Sequence, residues 1–216
     1  MRATNPPSNA ALLEALSQDF VAHKYDIKHL LRTIMKSRVY GLSALPTDQN
    51  RTDTRNYARH YPSRLSPHVL MDVLGQATGT SLKFDEYPEI KKAIQLPNEK
   101  ARSEFLDMFG RSQRDTPCEC ETKLAPNIGQ VMYLLHSDEL QRKIADKEGT
   151  VAKLVAGEKP PGEIVDELFL RTFSRLPSAE EARDAIQLIE QAQDKKLVVE
   201  DLLWVLLNSK EFLFNR

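Results

Sequence analysis

Apolar residues recur at three- and four-residue intervals along most of the chain, which is the period of a helix with one buried face. One such stripe runs through residues 12–21, after Ser8 and Asn9, either of which can cap the first turn of a helix. A second helix is predicted from the capping residue Asp26 to about Val39. Its buried face is expected to hold the apolar residues Ile27, Leu30, Leu31, Ile34 and Met35.

The helical pattern stops between Gly41 and Arg64, where the sequence is polar and long for a connection inside a compact domain. Segments of this kind are often functional or are pinned by their own side chains. A third helix is predicted to open at Ser66-Pro67, with serine as the cap and proline at the first helical position.

Residues 80–126 are irregular, and a short strand is expected at 93–96, before Pro97. From about residue 126 to the end the sequence predicts only helices. One of them begins at Ser178 with Glu181 three residues later, which is the spacing of a capping box. The final helix is predicted from about Val199 to Asn208, with Trp204 as its core residue.

These elements predict an all-α fold with at most a short β-hairpin near residues 90–125. We expect residues 1–216 to form a single helical domain with one continuous core and a soft internal boundary near residue 125. Hydrophobic residues make up 41% of the chain and charged residues 28%, an ordinary balance for a globular protein. The longest apolar runs are far shorter than the roughly 20 residues of a membrane span. Residues 1–7 lack the apolar region of a secretory signal peptide.

The net charge of −1 is low for a nucleic-acid-binding protein, so we expect no nucleic-acid partner. The charge is unevenly spread, because the segment from His23 to His68 carries nine basic and three acidic residues. One interpretation is that this segment pairs with the acidic remainder of the chain. The other is an exposed face for an anionic ligand. The candidate residues for that face are Lys28, Arg32, Lys36, Arg51, Arg55, Arg59 and Arg64.

Motifs of known chemistry are missing from the sequence, including a glycine-rich phosphate loop, a Gly-x-Ser-x-Gly elbow, a His-Glu-x-x-His helix and a Cys-x-x-Cys-His haem site. The five histidines share no spacing, and a structural role is expected for each. The unusual local feature is the run Cys118-Glu119-Cys120-Glu121, in which alternation places both thiols on one side of an extended chain.

Three interpretations of this run stay open: structural thiols or a strained local disulfide, a metal site at Cys118 and Cys120 completed by other ligands, and a redox or catalytic use. Arg111 and Arg114 precede the run and would lower the pKa of a reactive thiol. Alternatively, both arginines pair with nearby carboxylates. The candidate functional cluster is therefore Arg111, Arg114, Cys118, Glu119, Cys120 and Glu121.

Three separated motifs resemble one known family from end to end. They are the opening run 1–9 with the apolar segment that follows, the segment Phe109–Glu121, and the closing run 201–215. In this order they resemble the domain of unknown function 1553, which is abundant in planctomycetes. The resemblance implies the C-terminal domain of an exported multidomain protein, often with an N-terminal cytochrome c domain. Any haem then belongs to the parent protein, and no cofactor is expected in this chain apart from a metal at the two cysteines.

Two hypotheses follow. In the first, the chain is a non-catalytic interaction or scaffolding module, which packs on neighbouring domains of the parent protein or binds an anionic polymer such as a polysaccharide. In the second, it is part of an extracytoplasmic redox or polysaccharide-modifying enzyme, with a site around the Cys-Glu-Cys-Glu segment. Localisation outside the cytoplasm rests on the family resemblance, and the sequence leaves open whether Met1 is the native start.

Overall fold

A computed structural model describes residues 6–53, 56–112 and 127–215 of the chain. The described part is mainly α-helical, which confirms the predicted fold class. Contacts divide the chain into two compact units. Unit 1 comprises Met1–Ser63 together with Arg216, and unit 2 comprises Arg64–Asn215. The division thus falls between Ser63 and Arg64, whereas residue 125, where the sequence suggested a soft boundary, lies outside the described residues.

Unit 1 contains a helical hairpin of α1 (Ala10–Ala22) and α2 (Ile27–Met35). Its two predicted caps are confirmed, because Asn9 accepts from the amide of Leu12 and Asp26 accepts from the amides of Lys28 and His29. The connection is short, and two of its residues, Lys24 (φ 54°) and Tyr25 (φ 63°), adopt the left-handed conformation. Non-glycine side chains enter this conformation at an energetic cost, and here it turns the chain back so that α2 packs on α1.

The polar segment after α2 is held by its own side chains. The Asn50 side chain accepts from the amide of Thr47 at 2.7 Å and donates to the carbonyl of Ala58 at 3.2 Å. Asp53 accepts from the hydroxyl of Tyr61 at 3.1 Å. Short polar side chains thus satisfy backbone groups that a loop leaves unpaired in the described parts of this segment.

Several helices of unit 2 start at residues whose side chains cap the first turn. Ser66, the predicted cap of α3 (Pro67–Thr78), makes no such hydrogen bond, and it is followed by proline at the first helical position as predicted. Asn127 and Ser178 each form a capping box with the third helical residue, as the sequence predicted for Ser178 and Glu181. Ser137 both ends one helix and caps the next. The helices are α3 (Pro67–Thr78), α4 (Glu104–Met108), α5 (Ile128–His136), α6 (Asp138–Ile144), α7 (Thr150–Ala156), α8 (Pro161–Phe173), α9 (Ala179–Glu190), α10 (Lys195–Leu207) and α11 (Lys210–Leu213).

The strand predicted at 93–96 is wrong, because Ala93–Gln95 forms a short 3₁₀ helix instead. The carboxylate of Asp72 on α3 accepts from the amides of Ala93 at 2.6 Å and Ile94 at 3.2 Å. This contact satisfies the two free amides at the start of the turn, and no neighbouring strand is needed.

The core of unit 2 forms where α3, α8 and α10 meet. Leu70, Leu168 and Leu203 from these three helices are almost completely buried. The final long helix begins at Lys195, four residues before the predicted start, because Asp194 caps it. Its core residues are Val199, Leu203, Leu206 and Leu207, while Trp204, the expected core residue, is only half-buried beside them.

The beginning and end of unit 2 lie side by side. Arg64 and Phe214 form an isolated antiparallel bridge, in which the amide of Leu65 donates to the carbonyl of Leu213 at 3.0 Å. Among the described helices, none combines the length and the apolar character that a membrane crossing requires.

Candidate functional site

The helical hairpin of unit 1 exposes the apolar stripe that the sequence predicted to be buried. Ile27, Leu31 and Met35 lie on one side of α2 and are 64%, 52% and 61% exposed. Neither α1 nor α2 contains a buried residue. The prediction of a buried face on α2 is therefore wrong. A two-helix hairpin covers only one flank of each helix. The residues on that flank are half-buried, namely Leu13, Leu16, Phe20 and Leu30.

The residues of the predicted anionic-ligand face have different surroundings in the structure. Lys28, Arg32 and Lys36 are exposed at intervals of four residues along α2 and its C-terminal cap. Arg51 is also exposed and pairs with Asp48 at 3.3 Å. Arg55 lies outside the described residues. The three residues of α2 therefore form one continuous basic strip, which we call the α2 basic strip.

The other two candidate arginines are engaged by backbone and ring contacts. Arg59 donates to the carbonyls of Ala44 at 3.5 Å and His60 at 3.3 Å, and its guanidinium lies 5.0 Å from the ring centroid of Tyr61. Arg64, which belongs to unit 2, donates to the carbonyl of Phe109 at 3.0 Å and to the side chain of Gln130. Burial lowers the pKa of Arg64.

The candidate cluster around the cysteines lies almost entirely outside the described residues, namely Arg114, Cys118, Glu119, Cys120 and Glu121. Its remaining member, Arg111, has a side chain that is only 7% exposed. The Arg111 guanidinium donates to the carboxylate of Asp107 and to the carbonyl of Ala101, both at 2.7 Å. Arg111 also borders an open groove of about 740 Å³. These contacts show Arg111 fixing the end of α4 to the loop before it.

The same hairpin brings together three side chains that the sequence analysis did not group: Asp19, His23 and His29. The carboxylate of Asp19 lies 2.8 Å from Nε2 of His29 and 3.2 Å from Nδ1 of His23. The two imidazole rings are stacked, with centroids 3.6 Å apart and planes at 16°. One potential ligand atom from each residue lies within 4.8 Å of the others.

Local helix geometry positions this cluster. Asp19 and His23 are four residues apart at the end of α1 and therefore share one face of that helix. His29 lies in the first turn of α2, after the left-handed residues Lys24 and Tyr25. The Asp-x-x-x-His spacing is visible in the sequence. The approach of His29 depends on the tight turn, for which two non-glycine residues give no sequence signal.

Hydrogen bonding fixes the proton on one ring of this cluster. Nδ1 of His23 lies 2.8 Å from the main-chain carbonyl oxygen of Asp19. A carbonyl only accepts, so Nδ1 carries the hydrogen and Nε2 keeps its lone pair when the ring is neutral. His29 has a further neighbour in the hydroxyl of Thr33, 3.5 Å from Nε2. The arrangement offers two imidazoles and one carboxylate, which are ligands for a transition-metal ion.

Comparison with known protein families gives a match over most of the chain. A family model described as PSD1, protein of unknown function (DUF1553), matches residues 2–189. No curated protein and no solved structure matches the chain.

Proposed function

Because the chain belongs to the DUF1553 family, whose description assigns no activity, we propose its function from the geometry: it is a non-catalytic interaction module whose α1–α2 hairpin docks on another protein domain. The observation that carries the proposal is the exposure of Ile27, Leu31 and Met35 on one side of α2. Contiguous apolar patches on soluble proteins commonly mark interaction surfaces.

The energetics favour a protein partner for this surface. Complete burial of an aliphatic side chain contributes about 1.5–3 kcal/mol, so the exposed half of each α2 residue is worth roughly 1 kcal/mol on docking. Val21 on α1 and Tyr25 in the turn are also more than half exposed, which extends the patch beyond α2. Shape-matched apolar surfaces of this kind are supplied by folded domains rather than by hydrated polysaccharides.

The positive charge around the apolar stripe indicates which charge the partner carries. The α2 basic strip lies on the same helix as the apolar stripe, and the segment from His23 to His68 carries a net charge of +6. A partner with an apolar centre and an acidic border fits both features, because opposite charges at an interface rim accelerate association. The resemblance stated above supports a neighbouring domain of an exported parent polypeptide as this partner, and we propose the extracytoplasmic location on the same basis.

The test is calorimetric titration of the neighbouring domain of the parent polypeptide, produced separately, into this chain. We expect one-to-one binding that is weakened at least about tenfold by the double variant Leu31→Gln/Met35→Gln, because central apolar residues carry most interface energy. The control is Lys28→Gln/Lys36→Gln on the basic strip of the same helix. This control is expected to weaken binding only slightly, and only at low salt, because charges at an interface rim act mainly on the association rate.

Three outcomes would overturn the proposal. The first is absence of binding at micromolar concentrations. The second is concentration-dependent dimerisation of this chain alone, measured by sedimentation and abolished by Leu31→Gln/Met35→Gln, which would make a second copy the occupant. The third is salt-sensitive binding to heparin, used as a polyanion probe, that depends on the basic strip while the neighbouring domain does not bind.

A further inference from the structure

We propose that Asp19, His23 and His29 bind one divalent transition-metal ion of the zinc class. The proposal is independent of the docking partner, since it concerns side chains of this chain alone. One ligand atom from each residue lies within 4.8 Å of the others, and the three come from the adjoining ends of α1 and α2. Two imidazoles with one carboxylate form a donor set found at zinc and non-haem iron sites.

The spacing of two of the donors is close to that of ligands that share an ion. Nε2 of His29 and Oδ2 of Asp19 are 2.8 Å apart. Two ligands at zinc distances of about 2.0–2.1 Å in tetrahedral geometry are about 3.3 Å apart. The His29 and Asp19 donors therefore have to separate by about half an ångström to bind one ion together.

A hydrogen bond from the second ring nitrogen orients His23, as is usual for histidines that bind a metal. Its Nδ1 donates to the carbonyl of Asp19 at 2.8 Å, which fixes the tautomer with the lone pair on Nε2. The metal must lie in the plane of each ring, whereas the two rings are stacked at 3.6 Å. Binding therefore requires the rings to turn apart. Both side chains are partly exposed, at 48% for His23 and 30% for His29, so this turn displaces no packed core.

The donor set selects the type of ion. A single carboxylate takes part with two imidazoles, and the carboxylate of Asp26 is engaged as the cap of α2, accepting from the amides of Lys28 and His29. Hard cations such as Mg²⁺ and Ca²⁺ depend on several oxygen ligands, which this cluster does not provide. Imidazole ligands suit zinc, copper, nickel and iron instead. Three protein ligands leave at least one coordination position for water or for an external donor.

A bound ion would join α1 to α2 across the left-handed turn at Lys24 and Tyr25. The alternative is that Asp19 serves only as a hydrogen-bonded clamp between the two histidines. In that case the same variants would weaken the hairpin without any metal, and no ion would bind. Metal binding and stability in metal-free buffer must therefore be measured on the same variants.

The experiment is calorimetric titration of Zn²⁺ into the chain carrying Cys118→Ser/Cys120→Ser, so that thiols cannot contribute. Absorption of bound Co²⁺ is recorded on the same protein as a spectroscopic probe. We expect one ion per chain and no binding of Mg²⁺. His29→Gln and Asp19→Asn are each expected to weaken Zn²⁺ binding at least about tenfold and to change the Co²⁺ spectrum. The control, His136→Gln at an exposed histidine on α5, should leave both unchanged.

Thermal unfolding in metal-free buffer provides the second measurement. The proposal is supported if Zn²⁺ raises the melting temperature of the Cys118→Ser/Cys120→Ser chain but does not raise that of the same chain with Asp19→Asn. Without metal the two proteins should melt at the same temperature. It is overturned if Zn²⁺ does not bind, or if His136→Gln affects binding as strongly as His29→Gln. It is also overturned if Asp19→Asn lowers stability without metal and leaves Zn²⁺ affinity intact. Failure of this test leaves the docking proposal untouched, because the Leu31→Gln/Met35→Gln titration needs no metal.

Discussion

Arg175 donates two parallel hydrogen bonds to the carboxylate of Glu181, from Nη1 at 2.9 Å and from Nη2 at 2.8 Å. The same guanidinium donates to both carboxylate oxygens of Glu211, each at 2.9 Å, and lies 5.3 Å from the ring centroids of Phe169 and Phe173. One side chain thus connects the end of α8 to the start of α9 and to α11. Planar two-pronged pairing of this kind is specific to arginine.

Replacing Arg175 with methionine is expected to destabilise unit 2 by roughly 1–2 kcal/mol. The lost hydrogen bonds and ring contacts are discounted for solvent screening, because about a third of the side chain is exposed. Urea unfolding followed by circular dichroism measures the change. Arg183→Met is the matched control, since the Arg183–Asp184 pair is far more exposed and is expected to contribute little. Equal effects of the two variants would contradict the assignment of Arg175 as a connecting residue.

The Arg175–Glu181 contact also predicts how stability depends on pH. The hydrogen bonds from Arg175 lower the pKa of Glu181 to about 2, against about 4.3 for an unfolded glutamate. A carboxyl group whose pKa is lowered by folding stabilises the fold fully above its unfolded pKa. Its contribution disappears as the pH falls through the folded value. We therefore expect the loss between pH 4.3 and 2, and we expect Arg175→Met to flatten the unfolding free energy in that window.

Two positions on α10 test the register of the core. Leu203 is completely buried, whereas Val205, two residues later, is more than half exposed. Leu203→Ala is expected to cost about 2–5 kcal/mol through lost burial and a residual cavity. Val205→Ala is expected to change the free energy of unfolding by less than about 0.5 kcal/mol. A denaturant titration that ranks the two in the opposite order would show that α10 packs on a different face.

Replacing Gly79 with alanine is expected to destabilise unit 2. Gly79 ends α3 with φ +70°, and a Cβ atom there would lie 2.7 Å from Oγ1 of Thr150 and 2.9 Å from its amide nitrogen. Gly79→Ala should therefore cost about 1–3 kcal/mol. Gly162→Ala is the control, because a Cβ atom in that helical position meets only the tip of Ile186, at 3.7 Å. The control is expected to be neutral or stabilising by up to about 1 kcal/mol.

Tyr133 is expected to resist ionisation. Burial and a 2.6 Å hydrogen bond to Glu139 both raise its pKa above the ordinary tyrosine value. A raised pKa means that the contribution of Tyr133 to stability is complete below about pH 10 and is lost as the pH rises further. Ultraviolet titration should show the most alkaline tyrosine transition disappearing in Tyr133→Phe. Tyr57→Phe, at an exposed tyrosine, should leave that late transition in place.

The sequence predicted helix starts better than it predicted burial. Asn9, Asp26 and Ser178 each supply a local acceptor for free backbone amides, and such caps act within three residues. Burial depends on what covers a helix. The stripe of Ile27, Leu31 and Met35 has helical periodicity whether or not another surface lies over it, so its exposure could not be predicted from the pattern.

The candidate metal cluster was missed for a related reason. The four-residue spacing of Asp19 and His23 is readable once α1 is assigned, but His29 comes from the next helix. Its approach requires Lys24 and Tyr25 to adopt positive φ angles, which sequence analysis normally reserves for glycine and asparagine. The same limitation explains the 3₁₀ helix at Ala93–Gln95, which depends on Asp72, about twenty residues earlier in the chain.

The bridge between Arg64 and Phe214 has a topological consequence. Since the ends of unit 2 are hydrogen-bonded neighbours, a linker of a few residues could join Asn215 to Arg64 and close the unit into a ring. The chain could then be opened elsewhere, for instance in the loop between α9 and α10, without altering the path of any helix. Because its two ends are adjacent, unit 2 is suited to circular permutation. For the same reason it is suited to insertion into a surface loop of a host protein.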